Sequence, residues 1–433
     1  MNRLLSLYAW LLLIVFGGIV LHAPLSVGFG VVFPEVQDLI KAWKEIVLAA
    51  ASVMAIILVS QRKLWRELLD DWVIRLAGIY GILHLLMVPL LFQGVAATAA
   101  GLAIDLRYVV FFVLVYILMK LAPEYRRLML IIGLAGAVIV ATFATAQLFL
   151  PPDILTYIGY GPTTIAPFLT VDQNPDYIRI SSTLRGPNPL GAYAAIILAL
   201  LAAAILRGRV VLKDRVVIIA TGLLTLMSSL ALWHSYSRSA VVAAGVAVAI
   251  VLAVTILRKL SPRVWIIMCI VVFGLAGGLI ANRESDFVSN VVLHENNDGG
   301  GAINSNEEHF NSLETGFERL VNQPFGAGIG STGSASLYTE RPNIIENQYL
   351  FTAHETGWIG LLLFLALFGL IMLRLWHRRA DWLTLGVFAS GIGLALIGIL
   401  LPVWADDTVA LIWWGLAAIA LGQRGVYERP TTN

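Results

Sequence analysis

Cysteine is nearly absent from this chain. Cys269 is the only one in 433 residues and lies inside an apolar run, so no disulfide framework and no thiolate metal site can be built. Charge is scarce too: charged residues make up 13% of the chain against 59% hydrophobic, with a mean hydropathy of +0.83. That composition excludes a soluble enzyme. The histidines (His22, His84, His234, His294, His309, His354 and His377) are dispersed, and no pair has the spacing of a zinc protease. Polar stretches are also too few for a nucleotide-binding domain, which argues against ATP or a nucleotide sugar as substrate. The net charge of +2 decides little, because in such a chain the placement of charge matters more than its sum.

What the sequence does contain is a succession of apolar runs, each long enough to cross a bilayer as a helix. The reading is an all-α, polytopic membrane protein, a single membrane domain over 1–433 with about twelve spans. They fall near 4–21, 45–60, 72–92, 104–121, 128–150, 189–206, 216–235, 240–257, 264–281, 348–373, 382–402 and 408–421. The first resembles a signal sequence but lacks a clear small-residue cleavage site, so it is counted as a span. Most of the 29 lysines and arginines occupy alternate short connections. Among them are Arg62, Lys63 and Arg66; Lys120, Arg126 and Arg127; Arg207, Arg209, Lys213 and Arg215; Arg258, Lys259 and Arg263; and Arg374, Arg378 and Arg379. Under the positive-inside rule this puts both termini in the cytoplasm and the two long loops, 151–188 and 282–348, outside.

The second loop is the longest polar stretch. Ser305 to Glu308 reads as a capping box, and Phe310, Leu313, Phe317, Leu320 and Val321 follow at helical spacing. Together they predict an amphipathic helix near 305–321. QPFGAGIGS follows, with glycines at 326, 328 and 330; no strand precedes it, so a phosphate-binding nucleotide loop is rejected. A loop of this length works as a lid or binding element.

The basic residues outside the cytoplasmic set carry the functional signal. Lys41 and Lys44 precede span two, Arg107 sits at the expected outer end of span four, and Arg179 and Arg185 close the first external loop. Arg238 lies in the tight turn HSYSRSA, and Arg283, Arg319 and Arg341 belong to the large loop. Singly, each reads as a solvated or snorkelling side chain. Collected at span ends facing one compartment, where arginine is disfavoured, they describe an anion site open to the outside. The planar guanidinium fork suits phosphate oxygens, and a diphosphate at the membrane boundary is what a lipid-linked sugar donor presents. Asp406 and Asp407 read as a solvated turn rather than a cation site.

Four segments in order complete the pattern: STLRGPNPLGAY at 182–193, SYSRSA at 235–240, PFGAGIGSTG at 324–333 and ENQYLFTAHETGWIGLLLF at 346–364. With KAWKEIVL, DLRY and the twelve-span layout they resemble the O-antigen ligase and O-antigen polymerase family of bacterial envelope glycosyltransferases. The resemblance implies a GT-C-like membrane glycosyltransferase fold. It also implies a reaction, without metal, cofactor or nucleotide, that moves a glycan from undecaprenyl diphosphate to an acceptor glycan on the outer face of the inner membrane. The implied partners are that donor, the acceptor, the bilayer and a chain-length regulator or other envelope assembly protein; nucleic acid is not among them.

Carried over residue by residue, the resemblance implies that Arg185 and Arg238 hold the diphosphate; the placement of charge adds Arg107 as a third candidate for the same role. Glu346 stands where ligases commonly have histidine, a departure that resembles the polymerase or exopolysaccharide branch. Displacement at the anomeric carbon needs leaving-group stabilisation and a proton acceptor. Glu346 is the candidate acceptor, with His309 and Tyr349 as supporting residues. The competing role for Glu346 is that of a carboxylate favoured by a helix N-terminus. If the helix runs from 344, Leu350, Ala353 and Gly357 share its stripe, and His354 and Glu355 face elsewhere. A transporter is the alternative of another class, but no internal repeat supports it.

Overall fold

The computed structural model describes residues 3–171, 174–208, 214–256, 285 and 316–422. The predicted ninth span at 264–281, Cys269, the capping box at 305–308 and His309 lie outside them. Among the described residues nine helices are long and apolar enough to cross a membrane, and two shorter apolar helices follow near the C-terminus. The chain is a multi-pass, all-α membrane protein.

The first span is longer than expected. α1 (Arg3–Gly18) passes through a tight helical turn at Ile19–Leu21 into α2 (His22–Val32), giving 30 continuous residues. Pro24 falls in the first turn of α2, where its missing N–H costs nothing, so the chain continues instead of stopping near residue 21. After a short helix, α3 (Gln37–Lys41), come α4 (Trp43–Gln61), the short α5 (Trp65–Leu69), α6 (Trp72–Leu90), α7 (Val95–Leu121) and α8 (Tyr125–Gln147). α7 begins nine residues before the expected start of span four at 104, because the weakly apolar run VAATAAGLA is good helix former once Gly94 turns the chain at φ 88°.

The loop after α8 holds a small antiparallel hairpin of β1 (Leu169–Val171) and β2 (Asn174–Arg179), which pairs Leu169 with Arg179. Helical periodicity gave no sign of it. α9 (Pro187–Leu206), α10 (Arg215–His234) and α11 (Arg238–Thr255) follow. Residues 316–322 are helical, the described part of the predicted amphipathic helix. The chain ends in α12 (Gln348–His377), α13 (Trp382–Ile397) and α14 (Asp407–Leu421).

Small residues set the close helix packing. Ala199, Ala203, Ala247 and Ala389 are fully buried where α9, α11 and α13 meet, and a Cβ on Gly393 would stand 2.7 Å from the Ala243 carbonyl oxygen. Backbones this close gain dispersion that hydrocarbon solvent does not supply. α14 is buried along its whole length, and Trp413 and Trp414 pack with Trp404, Tyr108 and Phe368 into an aromatic core.

Hydrogen bonds sort the connections into two ends. At one end Ile180 N–H donates to the His234 carbonyl, Asn347 Nδ2 to Ile399, and Gln93 Nε2 to Ala327. At the other, Asp71 accepts from Tyr116 and pairs with Arg374 at 2.7 Å, while Lys120 pairs with Glu67 at 2.8 Å. The segments assigned to opposite compartments by charge are therefore kept on opposite ends.

Candidate active site

The segment around Arg185 is built as a rigid corner. Ser182, with φ 50°, donates its N–H to Gln147 Oε1 at 2.7 Å and its hydroxyl to the Val140 carbonyl, both on α8. Arg179 donates from Nε to the Ser235 carbonyl at 2.8 Å and from Nη2 to Asn188 Oδ1 at 2.6 Å. It is thus a fixed strut between the hairpin, the start of α9 and the turn before α11. Pro187 then opens α9, where a missing N–H costs nothing. Arg185 stands exposed two residues earlier.

Arg238 is the first residue of α11 and is engaged by the surrounding protein. The turn before it contains Tyr236 at φ 47°, a conformation a bulky side chain adopts at a cost. α9 reaches this turn because Gly191 has no side chain: a Cβ there would stand 2.7 Å from Ala240 Cβ and 2.8 Å from Ser235 Oγ. Two helix starts, each preceded or opened by an arginine, are thereby brought together. Their dipoles add positive potential to the guanidiniums, which is the arrangement that binds phosphate. Tyr177 and His234 flank Tyr236, with ring centroids 6.2 and 6.1 Å from its ring.

Arg107 is placed differently from expectation. It lies twelve residues into α7, about 18 Å from the helix start, and is buried. Its Nη2 donates to the Ala405 carbonyl and its Nη1 lies 3.7 Å from Glu45 Oε1. It belongs to a buried charge network rather than to an open span end. In that network Lys44 Nζ, 3% exposed as a residue, sits 3.1 Å from Asp407 Oδ2 and 3.4 Å from Glu45 Oε2. His22 Nε2 is 3.1 Å from the same Asp407 oxygen. Trp43 Nε1 donates to His22 Nδ1, so in the neutral ring Nε2 carries the proton and donates to Asp407. Asp407 is therefore not part of a solvated turn. Its half-buried neighbour Asp406 caps α14 through Val409 N–H. Burial and the adjacent Asp407 push its carboxyl up to about 6, against the opposing pull of Val409 N–H, Arg185 and Arg107.

Glu346 is not helical. Asn347 caps α12, its Oδ1 accepting from Tyr349 and Leu350 N–H at 2.9 Å each. Glu346 precedes the cap, half-buried, and contacts the protein around it. The stripe expected through Leu350, Ala353 and Gly357 does not form beneath it. Tyr349 donates its hydroxyl to the Ala395 carbonyl at 2.8 Å, a link to α13. Arg319 is not a free surface charge either, since Nη1 donates to Asn343 Oδ1.

The residue that sequence reasoning set aside is Glu355. α12 breaks at Gly357, with φ 67° and ψ −170°, and the loop 324–333 lies against the break. Ala327 and Gly328 donate to the carbonyls of His354 and Glu355, and Trp358 N–H donates to Pro324. Glu355, 1% exposed, accepts from Gly330 and Thr332 N–H through Oε1 at 3.0 and 3.4 Å. Asp105 lies beside it, and His84 Nε2 is 3.7 Å from Asp105 Oδ2. All three are buried ionisable residues within apolar runs, and that was the signal available for finding them.

Residues 223–365 match the family model described as O-antigen ligase, a segment running from within α10 into α12. No curated protein matches the chain. The matched residues take in three of the four motifs, from the Arg238 turn through the glycine loop to the Glu346 segment. Over that third of the chain the protein is similar to the O-antigen ligase family, and the match falls on the part that holds Arg238, the glycine loop and Glu346.

Proposed function

We propose that the protein is a repeat-unit polymerase that transfers a glycan from undecaprenyl diphosphate to a hydroxyl of an acceptor glycan. In this reading it works on the outer face of the cytoplasmic membrane, with both termini in the cytoplasm. The observation that carries it is the convergence of the α9 and α11 starts, bearing Arg185 and Arg238, at the end of the bundle that also holds Glu346. The diphosphate sits on these helix starts. An acceptor oxygen forms a bond to the anomeric carbon while the bond from that carbon to the phosphate oxygen breaks. The electron pair leaves with undecaprenyl diphosphate, whose charge the arginines stabilise, and the acceptor's proton passes to the Glu346 carboxylate. Arg107, locked to Glu45 and Ala405, tunes the field instead of touching the donor.

The second reading is ligation of the glycan to lipid A core. Glu346, in place of the histidine that opens this motif in ligases, favours polymerisation. Purified protein given a synthetic lipid-diphosphate glycan separates the two: polymerisation yields chains of increasing length with no lipid A core present, and ligation yields none. Glu346→Gln is expected to leave donor binding unchanged and to lower the single-turnover rate by about two to four orders of magnitude. An unchanged rate removes Glu346 from the chemistry.

A further inference from the structure

A second cavity lies away from the arginine face. Between α8 and α10 a groove of about 760 Å³ opens sideways, within the range of about 300–1,000 Å³ typical of sites for apolar small molecules. Its floor is formed by Ile197 and Leu200 of α9 and Ile412 of α14; Leu134 and Val138 of α8 and Ala220 of α10 form its walls. Leu134 and Val138 are 53% and 45% exposed, so the slot faces the hydrocarbon of the bilayer.

One end of the slot is cationic. Arg126 and Arg127, at the start of α8, line it. Arg126 Nε is buried without a hydrogen-bond partner, and Nη2 lies 3.9 Å from Asp381, a carboxylate already committed to Thr384 as the cap of α13. The acids beside them are Glu124 and Asp381, and neither gives Arg126 Nε a hydrogen-bond partner. A chain-shaped apolar slot ending in an unsatisfied guanidinium at the membrane boundary matches one acyl chain joined to a phosphate headgroup.

We infer that this groove binds an anionic phospholipid of the leaflet on the Arg126 side, its chain between α8 and α10 and its phosphate on Arg126 and Arg127. The proposed donor is not its ligand. α8 is 23 residues long, about 35 Å, and the diphosphate site lies at the opposite end.

Trp382 also lines the groove and reports on it. The full chain is reconstituted in phosphatidylcholine carrying a minor fraction of phosphatidylglycerol or phosphatidylcholine with brominated acyl chains. Quenching of Trp382 is read as the difference between the parent protein and Trp382→Phe. Brominated phosphatidylglycerol is expected to quench at lower mole fraction than brominated phosphatidylcholine. Each of Arg126→Ala and Arg127→Ala should shift that preference by about fivefold. Ala220→Phe, on a bilayer-facing wall, should abolish quenching by both lipids. Equal quenching by the two lipids, or a preference that survives the double arginine variant, overturns the assignment. So does displacement of brominated phosphatidylglycerol by polyprenyl phosphate at equal mole fraction, which would give the groove to the carrier lipid. Native mass spectrometry of any variant with lowered yield distinguishes lost lipid from lost fold.

Discussion

Arg185 and Arg238 reach the same end of the bundle by different means, one on a hairpin-braced corner and one as the first residue of a helix. Alanine at either is expected to lower transfer by about two to three orders of magnitude, the usual cost of removing one preorganised donor to developing negative charge. Lysine should restore little, because a point charge cannot reproduce a bidentate fork. Activity of purified variants of unchanged thermal stability checks this, and full activity in both alanine variants would leave the diphosphate site unsupported. Asp406 makes the same field dependent on pH. Its carboxyl is raised to about 6 by burial and Asp407, so it is ionised at pH 7.5 and partly offsets Arg185 and Arg107. At pH 5.5 it is mostly protonated and the arginines stand unopposed, so donor affinity should rise as pH falls through 6. The diphosphate diester keeps its charge across this range. Lys44, His22, Glu45 and Asp407 face the same network, and Asp406→Asn, which keeps a capping oxygen, isolates the one group. A pH dependence unchanged in Asp406→Asn would assign it elsewhere. The sequence singled out the two arginines because short motifs contain them. Arg107 was misplaced because the start of its helix depends on a run of alanines and glycine whose hydropathy is too weak to mark an end.

Among the elements, α12 shows what periodicity from one strand of sequence cannot supply. Its phase is set by the Asn347 cap and reset by the break at Gly357, and both depend on partners distant in sequence. Reading a continuous helix from 344 puts Glu355 on the wrong side, whereas the folded chain buries it against the glycine loop. Gly330 shows how tightly that loop is held. Its φ is 86°, and a Cβ would stand 2.2 Å from the Ala97 carbonyl oxygen, while a Cβ on Gly101 would meet Gly330 N at 2.5 Å. Gly330→Ala is therefore strained in conformation and in space. It is expected to destabilise by more than the ~1–2 kcal/mol of the left-handed region alone. Gly245→Ala, in α11 with nothing within 4 Å of the new methyl, should be neutral or stabilising by about 0.5–1 kcal/mol. Thermal unfolding of both variants in one detergent tests the contrast, and equal midpoints would mean that the loop does not sit in the break. Glu355→Gln keeps an acceptor for the Gly330 and Thr332 N–H groups, so it should cost less than Glu355→Leu, which leaves both donors buried and unpaired.

At the scale of the whole molecule, the span pattern was the most legible feature, because hydrocarbon demands helices and helices of fixed length leave an unmistakable run of apolar residues. Eleven of the twelve expected spans coincide with described helices, shifted at their ends. The hairpin, the α12 break and the buried charge network were hidden, since each exists only through contacts between distant segments. Folding also adds what charge counting alone does not: it ties Arg374 to Asp71 and Lys120 to Glu67 at one end, and Arg179 to Ser235 and Lys44 to Asp407 at the other. The end rich in lysine and arginine should face the cytoplasm, and the arginine site should face out. Single cysteines placed in a Cys269→Ser background test the assignment. Tyr157, 84% exposed in the short helical turn that precedes the hairpin, and Tyr338, 61% exposed beside the glycine loop, mark one end. Lys63 and Glu124, both exposed, mark the other. A membrane-impermeant thiol reagent added to intact cells should label Tyr157→Cys and Tyr338→Cys, and should label Lys63→Cys and Glu124→Cys only after the membrane is permeabilised. Reversed labelling would turn the arginines toward the cytoplasm and remove an external lipid diphosphate as their ligand. A mixed pattern at one end would contradict the two-ended packing itself, which rests on hydrogen bonds rather than on the charge rule.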